Sequence, residues 1–226
     1  MRDEIAGGEP RPLMGPGFGP GSGERPDMLC ILLHGLGADG NDLIALAPLM
    51  AELLPTARFI APNAPEPCDM APMGYQWFSL QDPSQEAMET GVRLAARDAN
   101  AFIDDMLAGL DLGPDRLLLM GFSQGAMTAL HLGLRREVAP RAIVSFSGAL
   151  VAPETLAHEI RCRPPVCVIH GQQDELIPVM SATVAEGVLA GAGVPVESHL
   201  LEGLGHGIDD AALIAAAAFL KRVLGA

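Results

Sequence analysis

Short, almost unbroken apolar runs separated by helix-length stretches constrain this chain more than any other feature. Met28–Leu33 reads MLCILL, 116–122 reads RLLLMGF and 165–170 reads PVCVIH. A strand wetted on one side alternates apolar with polar residues, so a run without alternation belongs to a strand covered on both faces. Segments 58–61, Ala142–Phe146 and Val196–Leu201 read as three further strands. Helical stretches are expected at 41–54, 84–110, 124–136, 179–190 and 209–224. In 84–110 the apolar positions 99, 102, 103, 106, 107 and 110 keep the three-four spacing of one helix face, and Gly113-Pro114 ends it. Strands alternating with helices predict an α/β fold, with a mostly parallel sheet flanked by helices. Ligands of such sheets bind beyond the carboxyl ends of the strands.

Two segments stand apart from this alternation. Residues 1–27 are dense in glycine and proline, cannot hold a helix and offer little to bury, so they read as an extended or mobile leader. Residues 28–226 are then a single domain. Residues 62–83 make a long loop punctuated by proline, and loops of that length inside a compact domain are usually functional or disordered.

Composition removes several function classes. With 14 Lys+Arg against 28 Asp+Glu the formal net charge is −14, and an acidic surface repels nucleic acid and anionic lipid. The apolar stretch 211–220 is too short to span a bilayer, so no stable membrane insertion is expected. Residues 1–27 lack the apolar core of a secretory signal. Four cysteines occur with no C-x-x-C spacing; they read as free thiols of a reducing compartment, consistent with a cytoplasmic protein. No metal and no cofactor are expected. An Ala- and Met-rich surface helix is compatible with a homodimer.

Gly121-Phe-Ser123-Gln-Gly125 matches G-x-S-x-G, directly after a buried strand and directly before a helix. Glycines two before and two after the serine relieve the crowding of a sharp strand-to-helix turn that lifts the hydroxyl above the sheet. A serine hydroxyl needs a base to take its proton. Of six histidines, His131 and His158 fall in helices, His199 inside a strand, and His34 and His170 at strand ends. Only His206 sits in a loop, between glycines, after the last strand; it is the candidate base. The base needs a carboxylate to orient it, and Asp174 lies just past the end of PVCVIH, with Glu175 as its rival. The chain order Ser, Asp, His is that of the α/β-hydrolase fold. An oxyanion needs two donors; the amides of Gln124 and of Leu36, in the His34-Gly-Leu-Gly loop, are assigned to it.

The stretch 35–40 is also a formal G-x-G-x-x-G. A dinucleotide fold would want an acid at the tip of the next strand, and that tip reads Ala61-Pro62-Asn63.

Taken in order, Leu33-His-Gly-Leu-Gly-Ala-Asp-Gly-Asn-Asp42, Ala61-Pro-Asn-Ala-Pro65, Gly121-Phe-Ser-Gln-Gly125, Phe146-Ser-Gly148, His170-Gly-Gln-Gln-Asp174 and Gly205-His-Gly207 resemble the small carboxylesterase and lysophospholipase family that includes the acyl-protein thioesterases. The resemblance runs from Met28 to the C-terminus. It implies an α/β-hydrolase without a large cap domain, acting on a small-molecule acyl ester or thioester without metal. It places nucleophile, acid and base on Ser123, Asp174 and His206 and the oxyanion donors on Leu36 and Gln124. The segment 72–79 looks like the family's Trp-Phe stretch beside the site, which makes Trp77 and Phe78, with Met73 of the same loop, candidate substrate contacts. The alternative for Trp77 and Phe78 is that they anchor the long loop in the core, and Trp77 is the one that leans towards the site. The Gly/Pro leader departs from the family, whose members usually begin with extra strands. The expected activity is hydrolysis of short- to medium-chain carboxylic esters through an acyl-enzyme on Ser123, with action on long-chain thioesters or lysophospholipids as the alternative.

Overall fold

The apolar runs become the middle of a sheet. The computed structural model describes residues 8–20 and 24–225. In chain order the elements are β1 (Gly17–Phe18), β2 (Met28–Leu33), α1 (Gly40–Ile44), α2 (Ala47–Leu53), β3 (Ala57–Ile60), β4 (Glu66–Pro67), β5 (Tyr75–Gln76) and α3 (Gln85–Gly109), then β6 (Leu117–Phe122), α4 (Gln124–Gly133), β7 (Ala142–Phe146), α5 (Pro153–Glu159), β8 (Val166–Gly171), α6 (Met180–Gly191), β9 (Val196–Leu201) and α7 (Asp210–Leu224). Seven strands pair in the order β1-β3-β2-β6-β7-β8-β9. All pairs are parallel except β1 with β3. The least alternating runs, β2, β6, β7 and β8, take the interior of the sheet, where both faces are covered.

Side chains alternate between two cores. Leu29, Ile31, Leu33, Leu117, Leu119, Ile143, Val166 and Val168 pack with residues of α3, α4 and α6. Cys30, Leu32, Leu118, Met120, Val144, Phe146, Cys167 and Ile169 pack with residues of α1, α2 and α7. Three helices start where a side chain can serve as N-cap: Asp39 accepts from the Asn41 and Asp42 amides before α1, Ser84 from the Ala87 amide before α3, and Asp209 from the Ala212 amide before α7.

Three expectations are refined. The helix expected at 41–54 is two, α1 and α2. Pro48 has no N–H to give the Ile44 carbonyl, so a continuous helix is interrupted there. The loop 62–83 contains a small antiparallel hairpin, β4 with β5. Residues 8–20 of the leader run extended along the sheet margin: Gly17 pairs with Ile60, the Ala61 amide donates to the Pro16 carbonyl at 3.0 Å, and the Asn63 amide to the Met14 carbonyl at 2.9 Å. Leu13 is buried, and Arg11 donates to the fully buried Asp98 of α3 at 2.6 Å. Residues 1–7 and 21–23 of the leader lie outside the described residues.

Candidate active site

The turn from β6 into α4 forces Ser123 into a conformation few non-glycine residues adopt, φ 53° and ψ −118°. The crowding is measurable: a Cβ on Gly125 would lie 2.0 Å from the Leu33 carbonyl oxygen, and one on Gly121 would lie 2.5 Å from the Gly125 carbonyl oxygen. Only glycine fits at either position. Because β6 lies beside β2, the turn is pressed onto the end of β2, next to the His34-Gly-Leu-Gly loop.

The Ser123 hydroxyl makes no capping bond to α4. Instead, Oγ lies 3.0 Å from Nε2 of His206, whose Nδ1 lies 2.7 Å from Oδ2 of Asp174. Proton on Nδ1, given to the carboxylate, leaves Nε2 free to accept from the hydroxyl. Asp174 sits in the turn after β8 with Oδ1 accepting from the Leu176 amide at 2.9 Å and the Ile177 amide at 2.8 Å. Burial acts to raise its carboxyl, but the Ile177 amide, His206 and the Leu176 amide outweigh it and hold the group below the usual carboxylate range. Its rival, Glu175, is exposed. The Phe122 ring lies 4.9 Å from that of His206, centroid to centroid, and packs beside it. The glycines flanking His206 are not sterically demanded: a Cβ on Gly205 would make only an ordinary contact, and one on Gly207 would meet open space.

The amides of Leu36 and Gln124 donate to no protein acceptor among the described residues. Between them runs a set of buried bonds that sequence spacing does not reveal. The Gln124 side chain accepts from the Trp77 amide at 2.8 Å and donates to the Phe78 carbonyl at 2.6 Å. The Trp77 indole donates to the His34 carbonyl at 2.9 Å. His34 Nε2 accepts from the Ala64 amide at 2.9 Å, which puts the ring proton on Nδ1, 2.7 Å from the Gly35 carbonyl. The Gly37 amide donates to the Tyr75 carbonyl, and the Tyr75 amide to the Ala38 carbonyl, both at 2.9 Å. At Gly74, with φ +82°, a Cβ would lie 2.0 Å from the Gly37 carbonyl oxygen, so this approach of the 62–83 loop needs glycine there.

The three loop residues singled out for the substrate are placed differently from one another. Trp77 and Phe78 are 1% and 4% exposed, whereas Met73 is 79% exposed. A cavity of about 420 Å³ is lined by Trp77 and Phe78 together with Arg11, Glu66 and Asp82, and its walls include neither Ser123 nor His206. Sequence suggested that the Trp77 ring faces the site; in the structure it is a buried post under the loop.

Elsewhere, His131 is buried in α4 and His158 exposed on α5. All four cysteines are unpaired. Across β8 and β9 the side chains of Cys167, Glu197 and His199 come within 4.8 Å of one another, a meeting that spacing along the chain does not reveal. His199 Nε2 lies 3.0 Å from one Glu197 oxygen, and Arg222 bonds the other. Burial, aided by Glu197, pushes the Cys167 thiol up to about 12. The carboxylate is therefore already matched by a cation. Among the described residues no helix is long and apolar enough to cross a membrane.

A parallel sheet with one antiparallel edge strand, a strained serine turn after an inner strand, and Ser, Asp and His contributed in that chain order place the molecule among the α/β-hydrolases. Within that class the chain belongs to the phospholipase/carboxylesterase family, whose sequence profile matches residues 21–224. The crystal structure of esterase PE8 is 42% identical, with a TM-score of 0.89 over 93% of this chain and 99% of that one. Esterase YpfH of Escherichia coli (strain K12) is 27% identical over 191 residues, 84% of this chain and 80% of that protein. Acyl-protein thioesterase 1 of Schizosaccharomyces pombe is 29% identical over 209 residues, 86% of this chain and 90% of that protein.

Proposed function

We propose that this protein is a serine carboxylesterase that hydrolyses short- to medium-chain carboxylic esters. The observation that carries the proposal is the continuous line Ser123 Oγ–His206 Nε2 at 3.0 Å and His206 Nδ1–Asp174 Oδ2 at 2.7 Å. His206 takes the Ser123 proton as Oγ attacks the acyl carbonyl, and Asp174 orients the ring and stabilises the imidazolium. The negative charge that develops on the carbonyl oxygen is met by the Leu36 and Gln124 amides. His206 then protonates the departing alcohol, and water repeats the sequence on the acyl-enzyme.

Met73 and Met70, 79% and 60% exposed, form a flexible apolar tip on the loop that Gly37 and Tyr75 tie to the oxyanion side. Thioether side chains adapt to acyl chains of different length, so the preference is graded. A matched methylene is worth only about 1–3 kcal/mol. Four unpaired thiols suit a reducing compartment such as the cytoplasm.

Ser123→Ala is the decisive variant. It is expected to lower kcat on p-nitrophenyl esters by about 10⁴–10⁶-fold with an unchanged circular dichroism spectrum. A variant that keeps a tenth of the parent rate ends the triad assignment. The second reading, action on long-chain thioesters, is favoured by the likeness to the yeast thioesterase. Acyl thioesters assayed beside oxygen esters of the same chain length separate the two, the ester reading requiring the higher kcat/KM for the oxygen esters.

A further inference from the structure

We infer that His170 is a positioning residue for the carboxylate of the triad. This rests on the triad proposed above and concerns a histidine that the mechanism leaves unused. His170 is the penultimate residue of β8 and is completely buried. Its Nε2 lies 2.9 Å from the Ile177 carbonyl and 3.2 Å from Oδ2 of Asp174, the same oxygen that receives His206. A carbonyl can only accept, so the ring proton sits on Nε2. Nδ1 is buried and has no partner among the described residues. The ring is thus committed to one direction, towards the turn that carries Asp174.

That turn is held from two sides. Ile177 gives its amide to Asp174 Oδ1 at 2.8 Å and receives His170 on its carbonyl. One residue, Ile177, therefore links the buried imidazole to one carboxylate oxygen, while the imidazole itself stands against the other. Asp174 Oδ2 lies between two rings, and the position it offers to His206 is set in part by the ring that does no proton transfer. A carboxylate with one oxygen fixed by amides still rotates about its Cβ–Cγ bond; the second ring limits that rotation. Such a restraint acts on geometry in the transition state, where a misplacement of about 1 Å costs as much as 10²-fold. Its loss should fall on kcat and spare KM.

Two amide variants test this. Gln places its amide nitrogen where His170 has Nε2, and Asn places it nearer Nδ1. His170→Asn is expected to lower kcat by about 10–100-fold with KM within about twofold of the parent, and His170→Gln to recover most of the loss. Both are polar and of similar size, so thermal unfolding of the two should match. The sharper readout is a double-mutant cycle. If His170 acts through the carboxylate, His170→Asn adds less than about twofold in an Asp174→Asn background. An Asn variant with parent kcat, Gln and Asn variants with equal losses, or a full additional loss in the Asp174→Asn background would each overturn the inference. Ser123→Ala measured alongside separates the two claims: an active Ser123→Ala removes the triad itself, whereas an inactive one beside any of these three results removes only the role of His170.

Discussion

The two faces of the central sheet bury different kinds of residue. Against α1, α2 and α7 the strands present Leu32, Leu118, Met120, Val144, Phe146 and Ile169, met by Leu43, Met50, Ala216 and Phe219. Against α3, α4 and α6 a comparable apolar set shares the interior with Asp98, Thr128, His131 and His170, none more than 2% exposed. A buried polar group costs free energy unless it finds a partner of the right kind in the right direction. Hydrocarbon only has to fit. The first face therefore contributes stability and tolerates rearrangement, while the second also specifies where particular atoms stand. Asp98 holds the leader through Arg11, and His170 stands behind Asp174. The site is served by the more demanding face.

Substitutions on either side can sharpen or break this contrast. The largest effect is expected at the site: Asp174→Asn should lower kcat about 10⁴-fold, equivalent to about 5 kcal/mol of barrier. Glu175→Gln, its exposed neighbour, should stay near the parent rate. The reverse ranking would move the acid to Glu175. Next comes the hydrocarbon face, where Phe219→Ala removes a ring 3% exposed and should cost about 3–5 kcal/mol in urea unfolding. Activity per folded molecule should be unchanged; a selective loss of kcat there would erase the distinction between the faces. The smallest effect, taken per pH unit, concerns acid. Burial, with Arg135 and Arg93 nearby, pushes His131 from 6.5 to about 3. Its folded value lies below its unfolded one, so its contribution to stability is present above about pH 6.5 and is lost as pH falls towards 3. Replacing it with Leu should flatten the stability curve in that window, by at most about 1.4 kcal/mol per pH unit. An unchanged slope would mean that His131 is not what the polar face loses first.

What the chain discloses before folding follows the same division. Strands β2, β7 and β9 lie at the residues expected of them, and Ser123, Asp174 and His206, each following a strand, stand together in the structure. Periodicity overran Pro48, since the apolar pattern continues across a residue that cannot donate. The strand Gly17–Phe18 was invisible because two residues carry no period; its pairing is set by Ile60 and Phe59, far along the chain. The Gln124 side chain and His170 were missed for a related reason. Their partners are Trp77, Phe78 and Ile177, and a hydrogen bond leaves no periodic trace in the sequence. Trp77 was drawn towards the substrate by its neighbourhood, but its indole had an acceptor in the His34 carbonyl.

Gln124 divides the 62–83 loop into a root and a tip. Its side chain accepts from the Trp77 amide and donates to the Phe78 carbonyl, so the root cannot move without disturbing the turn that carries Ser123. The tip around Met70 and Met73 has no such obligation. The tip can therefore be re-cut without disturbing the turn that carries Ser123, provided that Gly74 stays to let the two loops meet. The same single glutamine holds the root through main-chain atoms of residues 77 and 78, so replacing Gln124, rather than either aromatic side chain, is what would release the root.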